Sequence, residues 1–238
     1  MTTRMVVAID GPAASGKSST ARWVAERLGY RHVDSGALYR AVTWLALHDG
    51  GEPPAWNEDR VRMLADRVTL SPTKGAFEPV VDDAPVGDAI RGTDVTQHVS
   101  RVAQLASVRH WVNERVREAG GAHDVVVDGR DIGTVVFPDA PLKIFLVADP
   151  WERARRRLIQ RLGRHPQEDE IAEETEALVL RDAKDATQTV QARDAVLIDT
   201  TFLTQPEQVD RIVALARARA RVLDAAGGPD EGGPEQRP

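Results

Sequence analysis

At 238 residues and 42% hydrophobic content, the chain can build one sizeable core, or one core with small appended lobes. Its formal charge of −6 excludes a nucleic-acid polyanion as main partner, although a few clustered arginines still make a local site for a small anion. The absence of cysteine excludes disulfides and thiolate metal sites; with no membrane-length apolar run and no signal-peptide pattern at the start, a cytoplasmic location off the membrane is expected.

Residues 5–10 form a short apolar run ending at a glycine loop, the pattern of a buried parallel strand. Ala21, Val24, Ala25 and Leu28 then recur at helical spacing, with Gly29 as the stop. A second strand is expected over 31–34, followed by a helix through Leu38, Ala41, Val42 and Leu45. Between about Gly50 and Ile90 the pattern breaks into strand-like pieces at 68–70 and 77–81, with turns at Lys74-Gly75 and Asp82-Asp83. That region reads as a small inserted lobe with its own hairpin. Helices follow through Val95, Val99 and Val102, and through Val108, Trp111 and Val112. Strand signals return at 124–128 (DVVVD), 142–147 (LKIFLV) and 195–199 (AVLID). Asp149-Pro150-Trp151-Glu152 marks a helix start, with Asp as cap, Pro in the first turn and Glu three residues on. From there to about Asp182 the chain is arginine-rich and then acid-rich, and residues 225–238 (AAGGPDEGGPEQRP) read as a disordered tail. The alternation predicts an α/β fold: three α/β/α layers around a central five-stranded parallel sheet.

Gly11-Pro12-Ala13-Ala14-Ser15-Gly16-Lys17-Ser18 matches the phosphate-cradling pattern G-x-x-x-x-G-K-[ST]. Its glycines let backbone N–H groups wrap the phosphates, Lys17 reaches the β and γ phosphates, and the Ser18 hydroxyl suits Mg²⁺. Ser19 follows in the same turn. A shuffled chain of this composition gives the match about once in five hundred, and here a strand precedes it and a helix follows. The loop fixes a nucleoside triphosphate but not its fate, since GTPases, motors and small-molecule kinases all share it.

Further polar groups stand at strand ends, where open parallel sheets bind ligands: Asp34-Ser35-Gly36 with Arg40, and Asp128-Gly129-Arg130-Asp131. No convincing guanine-reading N/T-K-x-D is present. Arg153, Arg155, Arg156, Arg157, Arg161 and Arg164 suit a lid that neutralises a transferred phosphoryl group and excludes water; the alternative is a solvated helix face.

Together these segments resemble the bacterial cytidylate kinase family. The resemblance is carried by IDGPAASGKSS (9–19), VDSGALYRA (33–41), VVVDGRDIGTVVFPDAPLKIFLVA (125–148), ERARRR (152–157), RDAKD (181–185) and DAVLIDTT (194–201). It implies MgATP-dependent phosphorylation of CMP and dCMP to CDP and dCDP, without settling which acceptor is preferred. The implied division is a P-loop core of 1–40, 103–150 and 180–224, a monophosphate-binding lobe of 41–102 and a lid of 151–179. It also implies that Ser35, Ser100, Arg109 and Asp131 read the cytosine ring, and that Arg40 and Arg130 hold the acceptor phosphate. Arg181 and Asp185 would reach sugar and phosphate, Arg153 and Arg157 would approach the transferred group, and Ser18 with Asp128 would serve Mg²⁺. Nothing suggests an obligate oligomer, so a monomer is expected.

The chemistry is consistent with these roles. Cytosine presents an amine beside two acceptors, so a carboxylate such as Asp131 accepts from the amine while Arg109 donates to N3 and O2. Plainer readings stand beside the functional ones: Ser35 as cap of a helix starting near Ala37, Asp128 as a loop residue, Arg109 on a solvated face, Ser100 as an ordinary helical serine. One position departs from the family pattern, Gln188, where an arginine is usual; Arg193 is the candidate to replace its charge. The rivals are a P-loop kinase for another small acceptor (UMP, dTMP or shikimate) and a nucleotide-sensing switch.

Overall fold

A computed structural model describes residues 4–51 and 53–226. The sheet is built from β1 (Val6–Asp10), β2 (Arg31–Asp34), β3 (Val68–Pro72), β4 (Ala76–Val81), β5 (Ala84–Pro85), β6 (Val125–Asp128), β7 (Leu142–Val147) and β8 (Val196–Asp199). The order runs β3-β4-β2-β6-β1-β7-β8, with β5 paired to β4. The segment β2-β6-β1-β7-β8 is the five-stranded parallel core that the sequence predicts. Among the described residues eight α-helices surround it: α1 (Lys17–Leu28), α2 (Ser35–Asp49), α3 (Glu58–Ala65), α4 (Thr93–Ala103), α5 (Ala106–Ala122), α6 (Pro150–Leu162), α7 (Glu168–Asp185) and α8 (Gln205–Ala226).

Strand side chains alternate between the two faces, and the β1 residues show the division. Val6 and Ala8 join a core with α2 and α5 around Leu38, Val42, Trp111 and Val112. Met5, Val7 and Ile9 join α1 and α8 around Val24, Leu146 and Ile212. A third cluster (Ala154, Leu158, Ile171 and Leu178) packs the α6–α7 hairpin against Ala13 of the glycine loop. The α6–α7 hairpin therefore rests directly on the glycine loop.

The β3–β4 hairpin expected between about 50 and 90 is present, and β4 also pairs in parallel with β2, His32 opposite Ala76 and Val33 opposite Phe77, so that it extends the main sheet. Open N–H and C=O groups along β2 supply the reason, since an unpaired strand edge accepts any strand brought alongside. The marks at 40/41 and 179/180 fall inside the continuous helices α2 and α7. The tail was placed from 225, yet α8 continues through Ala226; residues 227–238 lie outside the described residues. Asp149 caps α6 as predicted, accepting from the amides of Trp151 (2.9 Å) and Glu152 (3.3 Å). Among the described residues no helix is long and apolar enough to cross a membrane.

Two glycines fix how closely the functional loops approach the sheet. Gly11 has φ +148°, and a Cβ there would stand 2.1 Å from the Leu146 carbonyl oxygen on β7. A Cβ on Gly129 would stand 2.6 Å from Ser35 Oγ and 2.7 Å from the Ile132 side chain. Gly11→Ala should lower unfolding free energy by about 3 kcal/mol, because neither the dihedral nor the β7 backbone can relax freely. Urea unfolding measures this, and a loss below about 1 kcal/mol would refute the tight approach.

Candidate active site

β1 delivers the chain into the glycine loop, where Ala14 (φ +56°) and Gly16 (φ +88°) take left-handed conformations before α1 begins at Lys17. Gly11, Pro12, Ala13, Ala14, Ser15, Gly16, Lys17, Ser18 and Ser19 thus form one continuous turn onto a helix N-terminus, the arrangement that binds polyphosphate. Lys17 Nζ donates to the Pro12 carbonyl at 2.6 Å and lies 3.4 Å from Ser15 Oγ. Burial and then the Arg130 charge push its pKa well down, while Asp128 and Asp10 oppose this. Ser19 Oγ closes on the Gly16 carbonyl at 3.0 Å.

Asp128 ends β6 and meets Ser18: the hydroxyl donates to Oδ2 at 2.5 Å. His32 Nε2 lies 2.7 Å from Oδ1. Burial alone raises the Asp128 pKa; the His32 and Ser18 bonds outweigh it and hold the carboxyl below the ordinary range. Ser35 is not the cap of α2. Asp34 is, accepting from the Ala37 amide at 3.0 Å, and Ser35 Oγ instead donates to the Asp128 carbonyl at 2.8 Å.

The residues after β6 turn through a single π turn, Ile132–Val136, held by Asp10. The Asp10 carboxylate accepts from the amides of Ile132 (2.9 Å) and Gly133 (2.7 Å), and burial raises its pKa to about 6. The last residue of β1 therefore sets the position of Asp131. Asp131 pairs with Arg109 of α5, whose guanidinium also donates to the Ala103 carbonyl at 3.2 Å. Arg109 is half-buried, so it is no solvated face residue. Burial raises the Asp131 pKa against the opposing pull of Arg109. Ser100 lies half-buried on α4, one turn beyond Thr96 on the same helix face.

Beside this pair stands a group of arginines. Arg40 donates to Thr96 Oγ1 at 3.0 Å, and burial, followed by repulsion from Arg181, lowers its pKa to about 10. Burial and then Arg130 likewise lower Arg181, whose Nε is buried without a hydrogen-bond partner among the described residues. Asp185 is the carboxylate between them, 3.6 Å from Arg130 and 3.8 Å from Arg181. Positive groups that depress one another and leave a buried donor unpaired form a site for an anion. Arg157 adds to the field on both Arg40 and Arg181 while held by Glu174 at 3.2 Å.

Other placements depart from the sequence reading. Arg153 is 4% exposed and does not stand free in a lid. Its guanidinium bonds the Ala13 carbonyl (2.8 Å), the Ala148 carbonyl (3.1 Å) and Asp182 (2.6 Å), while Asp182 accepts from the Ala13 amide at 3.0 Å. Arg153 and Asp182 therefore clamp the glycine loop from the roots of α6 and α7. Arg155, Arg156, Arg161 and Arg164 pair with the nearby acids Glu152, Glu174 and Glu170. Arg193 is exposed and makes no ion pair among the described residues. Gln188 Nε2 approaches the same Ala103 carbonyl as Arg109, at 3.4 Å. Arg91, missed in the sequence, joins the cluster by pairing with Asp34 at 3.2 Å. Asp10, His32 and Asp182 were missed as well; only the Asp10 position, last in a strand before the glycine loop, carried a sequence signal.

A family model described as cytidylate kinase matches residues 7–218. The cytidylate kinase of Limosilactobacillus fermentum is 46% identical over 211 residues, covering 87% of this chain and 92% of that protein. That of Chlorobaculum tepidum is 43% identical over 218 residues, covering 89% and 92%. The bifunctional pantoate ligase/cytidylate kinase of Synechococcus sp. (strain CC9311) is 42% identical over 226 residues, 92% of this chain but 45% of that longer protein. By the family match and by identity over most of its length, the chain belongs to the cytidylate kinase family.

Proposed function

We infer that the chain phosphorylates CMP as a nucleoside monophosphate kinase, and propose that ATP is the donor, with dCMP as a second acceptor. One observation supports this reading above the rest: the Arg109–Asp131 pair lies beside the Arg40–Arg130–Arg181 cluster, at the sheet end that carries the glycine loop. A cytosine reader, an anion site and a polyphosphate loop in that arrangement suit a nucleoside monophosphate facing a triphosphate.

In the proposed mechanism an oxygen of the acceptor phosphate attacks the γ-phosphorus in line, the bond to the β–γ bridging oxygen breaks, and ADP leaves with that electron pair. That phosphate is already a competent nucleophile, so no general base is required. Arg40, Arg130 and Arg181 hold it, and Asp185 keeps two of these arginines apart in fixed positions. Lys17 and the loop amides stabilise charge on the donor phosphates, and Arg157 is the lid arginine placed to share it. Arg153 acts at one remove, through the loop backbone. Ser18 and Asp128 suit Mg²⁺: both offer hard oxygens, and Mg²⁺ at phosphate sites takes only one or two protein ligands. Mg²⁺ bound there would neutralise charge on the donor phosphates. We further propose that 41–102, joined to the main sheet through only two residue pairs, and 151–179 close over a core of 1–40, 103–150 and 180–224 by bending of the shared helices α2 and α7, and so exclude water. A cytoplasmic monomer without nucleic-acid partners completes the proposal.

An acceptor panel in a coupled ADP-release assay is the test. CMP and dCMP should raise ADP release at least about a hundredfold over the basal rate, with UMP, dTMP and shikimate far behind. Turnover of UMP with CMP inert would overturn the acceptor assignment. A rate indifferent to every acceptor would make the protein a nucleotide switch instead.

A further inference from the structure

His32 lies on β2, where it faces Val126 of β6 in register, while Asp34 faces Asp128. His32 and Asp128 are thus diagonal neighbours on one face, two residues apart across the strand pair, a spacing that long side chains bridge. Both are almost wholly buried, at 4% and 2% exposure. An ionised carboxylate only accepts, so at 2.7 Å the Nε2–H of His32 donates to Asp128 Oδ1. Oδ2 is left to the Ser18 hydroxyl at 2.5 Å. Without the imidazole, Oδ1 would lie buried beside Asp34, a second carboxylate that already repels it. The carboxylate would then have reason to rotate away from Ser18.

We propose that His32 is a positioning residue of the phosphoryl-transfer site: it locks the Asp128 carboxylate onto Ser18 and so orients the pair that receives the nucleotide's metal ion. The proposal rests on the reading of Ser18 and Asp128 as the Mg²⁺ pair. Outer hydrogen bonds of this kind fix the direction of a ligand's lone pairs, and their loss weakens metal binding about ten- to a hundredfold. The His32 side chain makes no hydrogen bond to the acceptor arginines or to the Arg109–Asp131 pair; it bonds Asp128, on the donor side.

Calorimetric titration of ATP with and without Mg²⁺ gives the factor by which metal strengthens nucleotide binding. His32→Leu should cut that factor about tenfold and raise the Mg²⁺ needed for half-maximal turnover by a similar amount. KM for CMP should stay within about twofold. His32→Gln, whose amide nitrogen reaches the place of Nε2, should restore most of both. Thermal unfolding checks each variant; if His32→Leu does not fold, His32→Asn, whose amide is too short to reach, takes its place. The proposal fails if the folded Leu or Asn variant keeps the wild-type metal factor. It also fails if KM for CMP rises in parallel, or if His32→Gln is as defective as His32→Leu. Ser18→Ala separates the two layers. An unchanged metal factor there sinks the Mg²⁺ reading and the proposal with it, whereas its loss there, alongside an intact factor in His32→Leu, overturns only the role of His32.

Discussion

Lys17→Ala is expected to lower kcat at least about a thousandfold, or about 4 kcal/mol of transition-state stabilisation, in a protein that still folds. The ammonium is 6% exposed and folded over its own loop, with Nζ 2.6 Å from the Pro12 carbonyl. It sits in a field that Arg130 and Arg181 make unfavourable and that Asp128 and Asp10 only partly relieve. A buried cation so placed contributes little to folding, because desolvation and like-charge repulsion oppose its short hydrogen bond. A polyphosphate reverses the balance, since it brings negative charge to where the ammonium is least solvated. The interaction then strengthens as charge spreads over the transferred group, and it appears in kcat rather than in stability. Lys17→Arg should not rescue, because a planar fork cannot follow the tight turn from Gly16. Steady-state kinetics with a thermal melt decides the matter: a fall in kcat of less than tenfold, or loss of the fold, would refute this account.

What the sequence made legible was whatever depends on neighbours in the chain. The loop from Gly11 to Ser18, the cap at Asp149 and the apolar runs of β1, β6 and β7 follow from local pattern, and the structure has them where the pattern put them. The strand-end positions of Ser35, Arg130 and Asp131 were equally visible, because parallel strands must deliver their following loops to one edge. Contacts across the sheet were not. His32 is an unremarked residue in a four-residue strand until the β2–β6 register brings it to Asp128. Arg153 looked like its neighbours Arg155, Arg156 and Arg157, and one turn of helix separates a solvated arginine from one buried against Ala13. Asp10 binds backbone amides, which every residue carries, so no pairing of side-chain types announces it, and Asp182 meets Arg153 only across the α6–α7 hairpin. The β4–β2 pairing was hidden for a related reason: it involves only two residue pairs at the end of a hairpin that is complete in itself.

Asp131→Asn should reduce kcat/KM for CMP about tenfold to a hundredfold and lower the CMP-to-UMP preference by at least about tenfold, with ATP affinity within about twofold. The carboxylate is 8% exposed and shares its charge with Arg109, which burial would otherwise leave costly on both sides. Cytosine offers its amine to such an acceptor, whereas uracil turns a carbonyl toward it and leaves two acceptors facing each other. An asparagine has one acceptor and one donor to share between the base and Arg109. If its carbonyl turns to the cytosine amine, its amide hydrogens face the guanidinium. If its carbonyl turns to Arg109, its amide hydrogens face the base and favour uracil. The first orientation sets two donors against each other at Arg109 and the second favours uracil, so the discrimination that the carboxylate provides at no rotameric cost is weakened. Asp10 holds the Ile132 and Gly133 amides through bonds that the substitution leaves in place, so the donor site is spared. Competition between CMP and UMP in one reaction reads the ratio directly: an unaltered preference removes Asp131 from base recognition, and a parallel loss of ATP affinity makes its role structural.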